Sequence, residues 1–388
     1  MKIGYANEKD LDKIKYIWNY CFRDEESFVK YYFDCKYKPY NTIVVEDDNE
    51  IQSSLQLNQY KIKLNNKIYD TSYVVGVSTL PSARSKGYMK DLMQFTLNEL
   101  YNKNQLVSIL MPIDYRLYRK YGYEHCYDQL EYNIDIEELK NFNINGEFYK
   151  AKKEHIDYLI DIYNYNLANY NGYIYRDKFY YENLFKEIES EDGYIYIHKN
   201  ENYEGYIIYF IIEDTFFVRE MCYKNINSLK SMLKFIFNHN TQCKKYKLMT
   251  PINDNIKLIL PNLKNNYINL KPFMMGRIIN VEKFLNGIYV NHEDTEKVYI
   301  KIEDNQIKEN NFTFELQILN NKVVCSKCNK KPNIKLTINN LTQLAFGYID
   351  INEILFLENI KTIENNKNVV YLLNTIFEKN QNYINEYV

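Results

Sequence analysis

No run of 18 or more apolar residues occurs in this chain, which excludes a helical membrane span. There is no basic surplus either. Lys and Arg number 49 against 51 Asp and Glu, a formal charge of −2, whereas generic nucleic-acid binding usually shows a basic domain. The first residues, MKIGYANEKDLDKI, soon turn polar and lack a signal-peptide core, so the expected location is cytoplasmic. The seven cysteines are odd in number and scattered, which reads as reduced thiols. Cys325 and Cys328 form a lone C-x-x-C. A structural zinc site needs four ligands and the nearest histidine in sequence is His292, so the expectation is a hairpin turn with two incidental thiols and no metal. The five histidines show no triad or metal spacing and take no role, although His125 closes a tyrosine-rich segment of interest. Glycine is scarce, 11 in 388 residues, so a glycine at a tight turn carries meaning.

Apolar residues make up 46% of the chain, ample for globular cores, and the length fits two to three domains. The 41 tyrosines, with abundant Asn, Lys and Ile, read as compositional bias and not as a base-stacking surface.

The most informative stretch is VVGVSTLPSARSKGYMKDLM, residues 74–93. An apolar strand runs from Val74 to Thr79, turns at Pro81 and passes through Arg84-Ser85-Lys86-Gly87 into an amphipathic helix bearing Met89, Leu92, Met93, Leu97 and Leu100. The first turn of a helix has four backbone N–H groups without helical partners, and the helix dipole adds partial positive charge. Gly87 admits close backbone approach, and Arg84 and Lys86 add formal charge. Together these make a phosphate-binding device.

The chain is also self-similar. Residues 5–20 align with 150–165, 89–98 with 229–238, and 109–114 with 247–253, in the same order and at nearly the same offset. This predicts a duplicated unit of about 140 residues. Candidate strands in the first copy are Lys2–Tyr5, Thr42–Glu46, Ile51–Lys63, Tyr69–Val77, Leu106–Met111 and Tyr127–Asn133, with helices on both faces of a mixed α/β sheet. Lys224 and Asn227 stand opposite Arg84 and Gly87, so the second copy reads as degenerate. From about Gly276 an α+β unit follows. It has a strand entering a helix (275–285), strands at 298–302, 311–317 and 322–325, and helical segments at 341–349 and 364–380. The expected domains are 1–143, 144–275 and 276–388.

The spacing R-x-x-G-x-M at 84–89, with V-x-T-x-P before it, resembles the acetyl-coenzyme-A loop of the GNAT N-acetyltransferase superfamily. Met89 in place of the usual small residue resembles the enhanced-intracellular-survival (Eis) branch. The resemblance implies an active GNAT unit, an inactive GNAT unit and a sterol-carrier-like C-terminal domain, without implying lipid transport. It implies acetyl-CoA as acetyl donor and no metal. The amides of Val77, Ser78 and Thr79 would pair with the pantetheine arm, and those from Ser85 through Lys86, Gly87, Tyr88 and Met89 to Lys90 would cradle the pyrophosphate. Arg84 would shape the loop or touch phosphate.

The segment MPIDYRLYRKYGYEH (111–125) is similar to the family's S-E-x-x-I-Y-x-R-F-G-Y, which puts Tyr118 on the general-acid position. Tyr115, Tyr121 and Tyr123 are nearby competitors, and Ile113 and Asp114 replace the Ser and Glu at the start of the motif. A phenol near pKa 10 protonating a thiolate near 8.5 is only mildly uphill. The chain ends QNYINEYV, where Tyr383, Ile384, Tyr387 and Val388 have the character of a packed tail, and by resemblance the Val388 carboxylate enters the active site as general base. The implied acceptor is a small polycationic amine such as an aminoglycoside, polyamine or lysine peptide. The implied assembly is a homo-oligomer, a hexamer by resemblance, with no nucleic-acid or membrane partner. The competing readings are a non-catalytic cofactor-binding or scaffolding relative and a lipid-handling protein.

Overall fold

A computed structural model describes residues 1–264, 266–292, 294–358, 360 and 367–387. Period-2 runs become strands and the 3.6-period runs become helices, in the order the sequence suggests. The first stretch contains β1 (Lys2–Tyr5), α1 (Leu11–Phe22), α2 (Glu26–Tyr31), β2 (Thr42–Asp47), β3 (Glu50–Leu64), β4 (Lys67–Thr79), α3 (Tyr88–Asn102), β5 (Val107–Leu110), α4 (Tyr115–Arg119), β6 (Glu124–His125) and β7 (Asp128–Asp135). The second contains β8 (Glu147–Lys150), α5 (Ile156–Asn166), β9 (Tyr173–Ile174), α6 (Lys178–Ser190), β10 (Tyr194–Lys199), β11 (Tyr203–Ile212), β12 (Thr215–Tyr223), α7 (Ile226–Phe237), β13 (Lys245–Thr250), β14 (Tyr267–Pro272) and β15 (Met275–Ile278). The third contains α8 (Val281–Leu285), β16 (Asp294–Glu303), β17 (Thr313–Leu319), β18 (Lys322–Cys328), β19 (Ile334–Thr337), α9 (Ile338–Ala345), α10 (Ile351–Leu357) and α11 (Lys367–Ile376).

The described residues form three sheets, a mixed α/β architecture as expected. Their orders are β1-β2-β3-β4-β5-β15-β6 with β9 beside β3, β14-β7-β13-β12-β11-β10-β8, and β18-β17-β16-β19. The first two share a core arrangement of three strands and a helix. In one, β3 pairs antiparallel with β4, α3 follows, and β5 returns parallel to β4; β11, β12, α7 and β13 repeat it.

Sheet membership departs from chain order at two places. Segment 127–133, expected in the first unit, becomes β7 and pairs with β13 and β14 in the second sheet. Strand β15, expected to open the third unit, lies between β5 and β6 in the first sheet, with Gly276 opposite Ile109 and Glu124. The two sheets thus exchange a strand, and each gains a partner for an edge left open by its own chain segment. The sheets therefore do not follow the boundaries expected at 143/144 and 275/276.

Helix α3 covers one face of the first sheet with Leu92, Met93, Leu97 and Leu100, all buried against Leu55, Leu57 and Val74. Each such side chain contributes about 1.5–3 kcal/mol relative to exposure. The opposite face, with Ile14, Trp18 and Tyr73, is continuous with the core of the third unit through Phe314, Leu341 and Leu372. All seven cysteines are free thiols, but Cys325 and Cys328 lie along β18 and not in the expected turn, which falls at Asn320 and Asn321. Among the described residues no helix is long and apolar enough to cross a membrane.

Candidate active site

Strand β4 carries the bend on which the site is built. Between the pairs Ser54↔Ser78 and Gln56↔Val75 it holds an extra residue. Gly76 sits in this bulge with φ 59°. A Cβ there would lie 2.1 Å from Gln56 Oε1 and 2.3 Å from the Trp18 ring, so both the backbone and the packing call for glycine. On its other side β4 pairs with β5 only at Thr71, Ser72 and Tyr73. Beyond Tyr73 the parallel strands part. Val77, Ser78 and Thr79 lie on the stretch that keeps β3 alone as strand neighbour. Alternate backbone groups of such a stretch point into the gap, where an extended ligand chain pairs as an added strand.

The loop after β4 leads to an open helix end. Pro81–Ala83 make one 3-10 turn, Arg84 is extended, and Ser85 and Gly87 take left-handed φ values of 65° and 89°. Arg84, Ser85, Lys86 and Gly87 are all exposed. Gly87 occupies the N-cap position of α3 and no side chain caps the helix, so the N–H groups of Tyr88, Met89 and Lys90 are left to another acceptor. A Cβ on Gly87 would meet nothing within 4 Å; glycine here answers to φ, and the space beside the loop is open. The Tyr88 ring is buried and its hydroxyl donates to Asp47 Oδ2 at 2.5 Å, tying the helix start to the end of β2. That bond, helped by burial, pushes the Tyr88 phenol to about 12.

Tyr118 lies in the single-turn helix α4, after β5. Asp114 caps this helix by accepting from the Arg116 N–H at 2.9 Å, and its carboxylate also pairs with the Arg116 guanidinium at 2.6 Å. Its carboxylate is thus committed within α4, while Ile113 is exposed. The Tyr118 ring is buried in the same apolar cluster as Val74, Ala83, Tyr88 and Leu92, which places it on the α3 face of the β4–β5 fork. Burial, with a smaller contribution from Tyr121, pushes its phenol to about 12. The competitors are less free. The hydroxyls of Tyr115 and Tyr121 are sealed without partners among the described residues, and Tyr123 is hydrogen-bonded to Ser108 at 2.8 Å. His125 is held by Tyr127 O and Asp128, 2.9 and 3.0 Å away.

On the other face of the first sheet a buried ion cluster joins both units and the tail. Glu187 of α6 accepts from Lys36 at 2.8 Å and from Arg219 at 2.9 Å. Burial alone would raise its carboxyl, but the two cations outweigh it and hold it at about 2. Arg176 bridges Glu220, at 2.6 and 2.8 Å, and Glu386, at 2.8 Å. Tyr180 donates to Glu386 at 2.7 Å. The tail is docked as expected at Tyr383 and Ile384, both buried, and Asn382 donates to Cys126 O. Asn385 donates to Arg219 O. Val388 lies outside the described residues.

Sequence reasoning named the 84–90 loop and Tyr118 as candidates and did not name Gly76 or the ion cluster. An isolated glycine inside the apolar run VVGV was the available signal for the bulge. Nothing in the sequence signals the cluster, because its partners lie up to 210 positions apart.

Two family models described as acetyltransferase (GNAT) domains match residues 2–126 and 172–278, and one described as a sterol carrier protein domain matches 281–385. No curated protein matches the chain in sequence. Among solved structures, a probable N-acyltransferase of Enterococcus faecalis superposes with a TM-score of 0.88 at 20% identity, covering 100% of this chain and 99% of its own. A GCN5-related N-acetyltransferase of Anabaena variabilis gives 0.87 at 20% identity with full coverage of both chains. Eis1 of Mycobacterium abscessus gives 0.78 at 14% identity, again over all of both chains. The expected tandem and carrier-domain organisation is borne out. The chain belongs to the GNAT acetyltransferases, with two GNAT domains followed by a sterol carrier domain in the Eis-like arrangement.

Proposed function

We propose that the protein transfers an acetyl group from acetyl-CoA directly to a primary amine of a small acceptor, using Tyr118 as general acid and the Val388 carboxylate as general base. The observation that carries this reading is the uncapped N-terminus of α3 beside the unpaired end of β4. A ligand with an extended amide-bearing arm and a pyrophosphate meets both features. Val77, Ser78 and Thr79 offer strand pairing, and the amides from Ser85 to Lys90 offer hydrogen bonds to phosphate of about 1.5–3 kcal/mol each. Arg84 has no ion-pair partner among the described residues and adds charge at the loop.

In this reading the amine attacks the thioester carbonyl carbon and the C–S bond breaks. The Val388 carboxylate takes the amine proton, and Tyr118 protonates the departing thiolate. With the phenol pushed to about 12, Tyr118 is a weaker acid than its ordinary value implies. Protonating a thiolate of pKa about 8.5 is then uphill by roughly 5 kcal/mol, unless burial raises the thiolate too. The two residues before Val388 support the base assignment only by position: Glu386 is buried in the ion cluster and Tyr387 packs on Phe273. The polycationic part of the expected acceptor gains no support, since it calls for unpaired negative charge and the deep carboxylates are paired. A homo-oligomer and a cytoplasmic location complete the proposal, the first measurable by sedimentation.

The test is release of free thiol from acetyl-CoA by untagged protein with a panel of amines, alongside calorimetry of acetyl-CoA binding. Amine-dependent release is expected. A residue added after Val388 should abolish turnover while leaving acetyl-CoA binding intact. Binding without turnover on any amine would overturn the catalytic reading, and no binding would overturn the reading of residues 74–93.

A further inference from the structure

A cavity of about 520 Å³ opens between the two GNAT units, a size that suits a small-molecule site. It lies on the edge of β3 between Gln56, the last residue paired to β2, and Ile62, the first paired to β9. Asn58 on its wall pairs with Tyr73, which lies three residues before the Gly76 bulge on β4. Tyr180, also on the wall, bonds to Glu386, two residues before the chain end. The cavity therefore adjoins both the bend of β4 and the tail.

Its polar character is neutral to positive. The deep carboxylate, Glu187, is already paired with Lys36 and Arg219. At the rim Lys38, Lys61 and Lys103 face two carboxylates, Asp70 and Asp177. A polycation entering here would meet repulsion without an unpaired deep anion among the described residues. Of the six carboxamides that line the same space, Gln59 and Gln105 are tied to each other and to Ser72, and Asn104 accepts from Lys283, which leaves Asn41, Asn58 and Asn183 with side-chain groups open to a ligand among the described residues. Asn58 Oδ1 accepts from the Tyr32 hydroxyl at 3.0 Å, and its Nδ2 is buried without a partner among the described residues. Buried donors are rarely left unsatisfied, so this one calls for a ligand oxygen or a water. Two exposed rings, Phe179 (71% exposed) and Tyr175 (39%), stand at the mouth, apolar surfaces suited to the C–H face of a saturated ring.

Resting on the acetyl-transfer reading, we propose that this cavity takes the acceptor, and that the acceptor is a hydroxyl-bearing monoamine of the amino-sugar type and not a polycation. Asn41, Asn58 and Asn183 pair with its hydroxyls, and its one amine points toward the β4 bend.

The experiment compares glucosamine with spermidine and a lysine peptide, by thiol release at low and high salt and by calorimetry on the full chain. Glucosamine should show a kcat/KM at least about tenfold higher, little affected by salt, and Asn58→Leu should remove about tenfold of it. Lys61→Glu should raise kcat/KM for spermidine several-fold. A wild-type preference for spermidine or the peptide, falling steeply with salt, overturns this inference and leaves acetyl transfer standing. Calorimetric binding of glucosamine but not spermidine, without turnover on any amine, supports the cavity assignment and overturns the catalytic reading. If glucosamine neither binds nor is acetylated, the inference is overturned; this wild-type result does not depend on whether Asn58→Leu folds.

Discussion

The two GNAT units differ where strand leads into helix. In the first, residues 80–87 separate β4 from α3; in the second, only Lys224 and Asn225 separate β12 from α7. The first helix has no side-chain cap, whereas Asn225 caps the second by accepting from the Ser228 N–H at 2.9 Å. Arg84 stands without an ion-pair partner among the described residues, whereas its counterpart Lys224 is paired to Asp161. Both units keep a forked parallel pair and a bulge. The bulge residue is Gly76 in one and Arg219 in the other, and the tail's Asn385 bonds to the Arg219 carbonyl. The fork is thus a property of the fold, and the units differ in whether the amides beside it are left free. The second unit is not a weakened copy of the site; its helix end is satisfied internally and its bulge holds the tail.

Four substitutions test this comparison. The largest effect should come from Tyr118→Phe, which is expected to lower kcat by about 10²–10⁴-fold. Its acetyl-CoA affinity by calorimetry should be unchanged. Because burial holds the phenol at about 12, no alkaline loss of wild-type rate from its ionisation should appear below about pH 10.

Next, Glu187→Gln leaves Lys36 and Arg219 without their buried anion and should cost about 3–5 kcal/mol in urea unfolding. The sign follows from the lowered carboxyl. Its stabilisation is fully present above the unfolded value of about 4.3 and is lost as pH falls toward 2. The difference between wild type and variant should therefore shrink between about pH 5 and 2. A constant difference across that range would remove Glu187 from the acid response.

Gly87→Val comes third. Left-handed φ costs about 1–2 kcal/mol for a residue with Cβ, and the branched side chain enters the open space beside the α3 amides. Acetyl-CoA affinity should fall by about tenfold or more. The smallest effect is expected of Asn225→Ala, the matching change in the second unit. Loss of the cap should cost about 1 kcal/mol of stability and leave acetyl-CoA affinity untouched. If Asn225→Ala weakened that affinity as Gly87→Val does, the contrast between the units would fail.

Much of this was legible in the chain. The helices at 11–22 and 156–166, and at 88–102 and 226–237, betrayed the duplication because amphipathic periodicity survives sequence drift. The 74–93 segment was legible because its glycine and charges are local. The offset of the repeat, however, set Asn227 opposite Gly87, whereas the capping residue is Asn225; a shortened connection shifts the register without marking itself in the pattern. The exchange of β7 and β15 was invisible for a similar reason. Short alternating strands specify a face but not a partner, and Gly276 pairs with Ile109 across most of the second unit. The charge of the inter-unit cavity likewise emerges only when Lys36 and Glu187 are brought together from distant segments.

The strand exchange bears on how the protein is made. When residue 126 leaves the ribosome, the first sheet still lacks the strand that separates β5 from β6, which is supplied by residues 275–278. At synthesis rates of 5–20 residues per second, the intervening 150 or so residues take roughly 8–30 s. Throughout that interval the nascent chain displays the open edge of β5, so the first unit emerges early but closes late.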